Sequence, residues 1–211
     1  MTKASPLFPL VTSDSIPLLK GKYVYLDVLN PSLREQLRPL AKDERLWEFT
    51  KTLLINDSFD EQFDRYFDEA LNLTDLGGQA FVIRRTVDGT ILGMTRFLNV
   101  DRKEKRLEIG HTWYIPQVWG KVHNKECKLL LLSYVLETLR YNRVEFRVAH
   151  QNVRSQKAVA KIGGVKEGVL RFHAVRNDGS RRDTVVFSVI IDEWPETKKK
   201  LKDLVDAGPG L

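Results

Sequence analysis

One cysteine in 211 residues, Cys127, has no second cysteine to pair with inside the chain. An intramolecular disulfide and a cysteine-only zinc site are excluded, and a reducing compartment, the cytoplasm, is the expected setting. Long apolar runs are missing too. Leu129-Leu130-Leu131-Leu132 is flanked by Lys128 and Ser133, far short of the roughly 18–20 residues that span a bilayer. No membrane partner is expected. The start, MTKASPLFPLVTSDSIP, has one lysine, scattered prolines and no continuous apolar segment, which predicts no cleaved secretory leader. The four histidines, His111, His123, His150 and His173, lack metal-ligand spacing, so no metal is expected.

What is present is ordinary for a soluble domain: 42% apolar and 29% charged residues, a balance that excludes wholesale disorder. The length suits one sizeable domain. Net charge is +6, which by itself fits nucleic acid, an anionic surface or a polyanionic small molecule. Nucleic-acid binding leaves a basic stripe interleaved with aromatics. Here lysine and arginine are spread along the chain, and Lys198-Lys199-Lys200 reads as the solvated face of a terminal helix. No nucleic-acid partner is expected.

Residues 1–20 form an arm without sustained period. Residues 21–192 hold the patterned domain, and 193–211 form a charged C-terminal helix and tail, starting at Pro195. Tyr23–Leu29 reads as a strand, and a helix follows with Ser32 as cap and Leu33, Leu37 and Leu40 on one face. Phe63, Tyr66, Phe67 and Ala70 mark a second helix over 60–73. Gln79–Thr86 and Thr90–Val100 read as a hairpin across Val87-Asp88-Gly89, and Arg106–Tyr114 as a further strand. A helix from Asn124 to Tyr141 is apolar around most of its circumference, as one covered on several sides must be. Then come the strand Arg143–His150, a helix over Asn152–Ile162 closed by Gly163-Gly164, and a hairpin of Val165–Arg176 with Arg182–Ile191 through Asn177-Asp178-Gly179. The order β, α-α, β-β-β, α, β, α, β-β predicts a single α/β domain around a mixed sheet.

The informative segment is Ile115-Pro116-Gln117-Val118-Trp119-Gly120-Lys121-Val122-His123-Asn124, between a strand and a buried helix. Such a turn leaves the first helical N–H groups unpaired, with the positive end of the helix dipole behind them. Gly120 permits close backbone approach and Lys121 adds a charge, which suits a pyrophosphate. The alternative is that Gly120 merely turns the chain. The loop is neither GxxxxGK[ST] nor GxGxxG.

Gln117-x-x-Gly120-x-Val122 resembles the acetyl-CoA loop Q/R-x-x-G-x-G/A of the GNAT N-acetyltransferase superfamily. Glu108-Ile109-Gly110-His111, a following proline and Trp119-Gly120-Lys121 resemble the branch that acetylates ribosomal-protein N-termini. So do Asn152-x-x-Ser155, Ile162-Gly163, Glu167-Gly168-Val169-Leu170-Arg171 and Asp178-Gly179…Arg182-Asp183. These matches run in the family's order over residues 21–192. Val122 stands where the loop usually ends in Gly or Ala, and Gly164 where an aromatic is usual. The resemblance implies a GNAT-like fold, a mixed and mostly antiparallel sheet with a splayed parallel pair, here Arg106–Tyr114 and Arg143–His150. It implies acetyl-CoA as co-substrate, held along Trp113, Tyr114, Ile115, Gln117, Val118, Trp119, Gly120, Lys121, Val122 and His123, with Asn152 and Ser155. A backbone N–H near Trp113–Ile115 would then face the oxyanion.

Acetyl transfer to an amine needs a base, an oxyanion donor and a proton for the leaving thiolate. Glu108, mid-strand, is the candidate base; its other reading is an ion-pair partner of Arg147 or Arg96. Ser155 is the candidate donor to the thiolate; its other reading is a helix cap. Asn152 supports the helix start and touches pantetheine on the same resemblance. Phe63, Tyr66 and Phe67 are core residues on a helix that in relatives builds the acceptor pocket, so one of them is expected to face substrate. The four histidines and Cys127 read first as core or surface residues; lining the substrate mouth is the other reading of His111 and His173. The expected activity is transfer of acetyl from acetyl-CoA to a primary amine, first a protein or peptide α-amine. The alternatives are a small-molecule amine (polyamine or amino sugar) and a CoA-binding regulatory module. A monomer or homodimer is expected.

Overall fold

Period-two burial in the strands and period-3.6 burial in the helices divide the apolar residues between two layers about one sheet. The computed structural model describes residues 16–52, 54, 58–176 and 178–208. Its elements are β1 (Leu19–Lys20), β2 (Val24–Val28), α1 (Arg34–Ala41), α2 (Phe59–Leu71), β3 (Gln79–Arg85), β4 (Ile91–Asp101), β5 (Arg106–Tyr114), α3 (Val122–Ser133), β6 (Arg143–Ala149), α4 (Val153–Lys161), β7 (Val165–Val175), β8 (Arg181–Ile190) and α5 (Trp194–Asp206). The strands form one sheet in the order β1-β2-β3-β4-β5-β6-β8-β7. Alternate residues of β3 serve the two cores: Phe81 and Ile83 pack with α3 and α5, Ala80 and Val82 with α1 and α2.

Every strand pairing is antiparallel except β5 with β6. That parallel pairing holds only for Arg106↔Arg143, Leu107↔Val144 and Glu108↔Glu145, although β5 continues to Tyr114 and β6 to Ala149. Beyond Glu108 the two strands part, giving the splayed pair the resemblance implied. The register of β5 against β4 slips between Met94 and Arg96, beside His111 at φ +48°. Past the slip β5 stays on β4: a Cβ at Gly93 would lie 1.9 Å from the Trp113 carbonyl oxygen. A bulge of this kind turns a strand out of its neighbour's plane.

The α3 helix is covered on several sides, but not by leucines alone. It buries Glu126 and Lys128 as well as Cys127, Leu131 and Leu132. The Glu126 carboxylate accepts from the backbone N–H groups of Lys22, Tyr23 and Val24 at 2.8, 2.6 and 2.7 Å. Gly21 makes room for it, since a Cβ there would meet the carboxylate carbon at 2.4 Å. The helix then loosens into a π turn over Tyr134–Thr138.

Three local expectations are revised. Asn30, not Ser32, caps the first helix: its Oδ1 accepts from the Ser32 N–H at 3.0 Å, and a 3-10 turn at Pro31–Leu33 precedes α1. Pro31 is suited to that first turn because its missing N–H would be unpaired there anyway. At the end of the predicted arm, Leu19–Lys20 pairs with β2 as an edge strand; residues 1–15 lie outside the described residues, as does Asn177 of the last hairpin. The Gly164 position is filled by Val159, whose Cγ1 would lie 2.5 Å from an added Cβ. The α5 helix buries Trp194, Leu201 and Val205, the first two within the α3 core, while Lys199 and Lys200 face solvent.

Candidate active site

A cleft of about 490 Å³ opens where β5 and β6 part. One wall is the loop after β5 with the first turns of α3 and α4. The other is the segment from Leu46 to Thr52 with Tyr66, His173 and Arg182.

On the first wall, Gly120 has φ +75°, and a Cβ added there would meet nothing within 4 Å. The backbone thus takes a conformation that favours glycine and faces open space. Val122, His123 and Asn124, as the first turn of α3, have N–H groups with no intrahelical partner, and Asn124 lines the cleft. Trp119 is fixed by its indole N–H donating to the Tyr114 carbonyl at 2.7 Å, and the Arg154 guanidinium lies 3.9 Å from the ring centroid. Asn152 caps α4, its Oδ1 accepting from the Ser155 N–H at 2.9 Å. Ser155 is therefore not the cap. It sits inside the helix, lines the cleft, and its hydroxyl makes no hydrogen bond among the described residues.

Ile115 gives its N–H to the Leu92 carbonyl at 2.8 Å. By strand alternation the Tyr114 N–H points the other way, toward the gap. Of the segment Trp113–Ile115, Tyr114 is thus the available backbone donor.

Glu108 stands at the last pair before the strands part. It is 8% exposed; its Oε2 accepts from Asn99 Nδ2 at 2.8 Å and lies 3.4 Å from Arg147 Nε. Burial pushes its carboxyl above the ordinary range, with Arg147 and the Asn99 hydrogen bond opposing. Both readings of Glu108 are geometrically present: it pairs with Arg147 and also lines the cleft. On the floor lies Lys128, 4% exposed, donating from Nζ to Thr112 Oγ1 at 3.0 Å, with Thr95 Oγ1 at 3.5 Å. Burial lowers its pKa.

The second wall is aromatic below and basic above. Trp47 packs edge-on to Tyr66 and tilted to Trp113, with ring centroids 5.3 and 6.1 Å apart, and the Trp113 indole donates to the Tyr66 hydroxyl at 3.1 Å. Tyr66 also stacks on His111, and of Phe63, Tyr66 and Phe67 it is the one that lines the cleft. His111 is reached by solvent through the cleft but enclosed by protein on its other sides. That enclosure first, and the Arg96 charge second, hold it neutral. A bulge in β7, with Phe172 at φ +48° and its N–H on Asp183, turns His173 toward Thr184, whose Oγ1 is 3.2 Å from Nδ1.

Of the residues expected from sequence, Glu108, Trp113, Tyr114, Val118, Trp119, Gly120, Asn152 and Ser155 line this one cleft, as do His111 and His173. Ile115, Gln117, Lys121, Val122 and His123 do not. Val122 is 1% exposed and packs under the helix start, so its side chain leaves the cradle at Gly120 free. Sequence reasoning did not place Asn124, Lys128, Arg154 and Arg182 at the site, and had Arg147 only as a partner of Glu108. Asn124 and Lys128 carried a signal, being one helical turn apart on α3. Among the described residues no group of three His, Cys, Asp or Glu side chains is placed to hold a metal, and no helix is long and apolar enough to cross a membrane.

Comparison with known proteins agrees with this geometry. The family described as "Acetyltransferase (GNAT) domain" matches residues 25–165. The provisionally named ribosomal N-acetyltransferase YdaF of Bacillus subtilis (strain 168) is 32% identical over 112 residues, 53% of this chain and 60% of that protein. The chain thus matches well under two thirds of that relative's length. A crystal structure of a provisionally named acetyltransferase from T. thermophilus superposes with a TM-score of 0.80 at 30% identity, covering 90% of this chain and 97% of that one. The spermidine N-acetyltransferase from Vibrio cholerae, solved with CoA and spermine, shares the fold, with a TM-score of 0.67 at 16% identity over 82% of this chain and 98% of that one. With the splayed strands, the open glycine turn and a family match across most of the sheet, the chain belongs to the GNAT acetyltransferase family.

Proposed function

We propose that the protein is an acetyl-CoA-dependent N-acetyltransferase acting on a primary amine, in the first place a peptide or protein α-amine, by direct attack in a ternary complex. The observation that carries this reading is the gap beyond the Glu108↔Glu145 pair, which leaves strand-length backbone unpaired beside the Gly120 cradle. The residues present fit the co-substrate. The orphan N–H groups at the start of α3 suit a pyrophosphate, with Gly120 and Asn124 beside them, and the free edges of β5 and β6 suit the amide-bearing pantetheine arm. Lys121 points to solvent and would act on phosphate only at longer range.

Acetyl-CoA supplies an acyl group activated on sulfur. Glu108 accepts the ammonium proton through water. An α-amine has a pKa of about 7.7–8.0, so a weak base is sufficient. The Tyr114 N–H faces charge developing on the acyl oxygen. The Ser155 hydroxyl hydrogen-bonds the departing sulfur and hands it a proton, replaced from water. The balance is one C–N bond formed and one C–S bond broken; of the two protons the ammonium loses, one passes to solvent by way of Glu108, and the other, shed as the C–N bond forms, offsets the one that Ser155 hands to sulfur, so a thiol and one proton are released.

Thiol release from acetyl-CoA with an amine panel (N-terminal peptides, spermidine, an amino sugar) tests this. Peptide-dependent release is expected. Gly120→Asp, placing an anion at the open turn, should weaken acetyl-CoA by about tenfold or more, ~1.4 kcal/mol. Tight acetyl-CoA binding with no release on any amine would make the protein a CoA-binding regulatory module. Unchanged affinity in folded Gly120→Asp would detach the loop from phosphate.

A further inference from the structure

The acceptor half of the cleft holds more positive charge than its own carboxylates neutralise, and Arg182 is the clearest instance. It is 8% exposed. Its Nη1 donates to the Phe49 carbonyl and its Nη2 to the Thr184 hydroxyl, both at 3.3 Å, while its buried Nε has no partner among the described residues. Among these residues no carboxylate reaches it within ion-pair distance. Arginine does not shed its proton under burial. Its charge is met by two neutral acceptors and, from beyond ion-pair distance, by Glu108, which leaves a desolvated guanidinium incompletely paired.

The surroundings have the same sign. Arg147 lines the same wall, shared between Glu108 and Glu145 at 3.4 and 3.2 Å. Lys51 is exposed at the mouth, where a second opening of about 550 Å³ begins, with Arg65 and Glu69 on its rim. The histidines register this field. Burial lowers the pKa of His173, and Arg147, Arg182 and Lys51 lower it further; on His111, Arg96, Lys51 and Arg182 add to the effect of enclosure. A polycation such as spermidine is repelled here, whereas an amine that carries an anion is drawn in.

We infer that the acceptor is an amine bearing a carboxylate or similar anionic group received by Arg182: among α-amines, a peptide N-terminus followed at once by acidic residues. The inference rests on the acetyl-transfer reading above and narrows it. Glu108 stays at the amine, and Arg182 meets the anion on the far side of the reacting atoms from the Gly120 cradle. An anion there meets the Nη hydrogens that Phe49 and Thr184 leave open, the buried Nε being closed to a ligand.

The test is calorimetric and kinetic, on the full chain loaded with CoA or acetyl-CoA. The probes are a peptide beginning Ala-Asp-Glu, its Ala-Asn-Gln counterpart, free glutamate and spermidine. The acidic peptide should bind about tenfold tighter than its amide counterpart, the difference shrinking with salt, and spermidine should bind weakest. Glutamate matching the acidic peptide would place the anion on the amino acid itself. Arg182→Gln should erase the preference by raising KM for the acidic peptide to that of the amide peptide. Arg182→Lys, which keeps the charge should the glutamine variant fail to fold, should retain part of the preference. Lys51→Gln, at an exposed site, should reduce it. Equal or tighter binding of the amide peptide or of spermidine by the unaltered protein overturns the inference whatever the variants do. Preferential acidic-peptide binding without thiol release would support the anion site and overturn the acetyl-transfer reading instead.

Discussion

A buried carboxyl one hydrogen bond from Asn99 and one ion pair from Arg147 is poised differently from an exposed one. Burial holds the Glu108 carboxyl above its ordinary value of 4.5, which makes its carboxylate a stronger base than an exposed one. Glu108→Gln should lower kcat most near pH 7, the deficit shrinking above about pH 8 as the α-ammonium loses its proton unaided. A deficit constant across pH would leave Glu108 a positioning group. The linked stability has a definite sign. A carboxyl raised in the folded state holds its proton more tightly there than when unfolded. Its contribution is present below about pH 4.5 and is lost as pH rises through the raised value. Glu108→Gln should flatten that part of the stability curve in denaturant melts. Glu108 and Gly120 were legible in the sequence because a mid-strand carboxylate and a glycine between strand and helix are locally conspicuous. Arg182 and Lys128 were not. A long cationic side chain looks the same whether it reaches solvent or lies under a tertiary neighbour, and nothing local shows that Phe49 and Thr184 close over Arg182.

Among the elements, α3 carries the most. Its first turn faces the cleft, Lys128 reaches the floor, and Glu126 anchors the turn before β2 over sequence separations of 102 to 104 residues. Glu126→Gln places an NH2 where a carboxylate oxygen now accepts backbone donors, leaving at least the part-buried Lys22 N–H unpaired. The expected cost is about 2 kcal/mol, a fall in Tm of roughly 4–8 °C for a chain of this size; an unchanged melt would mean that water can take over those donors. The elements themselves were largely readable. The sequence pattern placed β5 on the residues the structure shows, and α2 and the two hairpins within a residue or two, because period and turn chemistry agree there. The start of α3 at Val122 rather than Asn124 was hidden by a branched residue packing inward at the first turn. The Glu126 contact was hidden because its donors are backbone groups, and backbone carries no sequence signal.

At the level of the whole molecule, the order of elements predicted a mixed α/β sheet, but the splay came only from family resemblance. Apolar alternation is the same in a paired strand and an unpaired one, so no pattern in 109–114 or 146–149 distinguishes them; the register slip beside His111 does. Beside that slip β1–β5 and β6–β8 are stitched by three residue pairs, with further continuity through the Arg147–Glu108 and Arg106–Glu145 ion pairs, the Arg182–Phe49 hydrogen bond and the packing of α3 on α5. Mechanically the seam is the compliant line of the protein. Amide hydrogens facing it should exchange quickly in the free chain and slow markedly when acetyl-CoA lies across both edges, while those between β3 and β4 stay unchanged. Saturation at a hundred times Kd should add about 2.7 kcal/mol to global stability; equal exchange with and without ligand would mean that the halves are held rigid by other contacts. A molecule stiffened in this way must flex along the same line to let the spent thiol go, so the rate of that opening, rather than the chemistry beside it, becomes a natural ceiling on turnover.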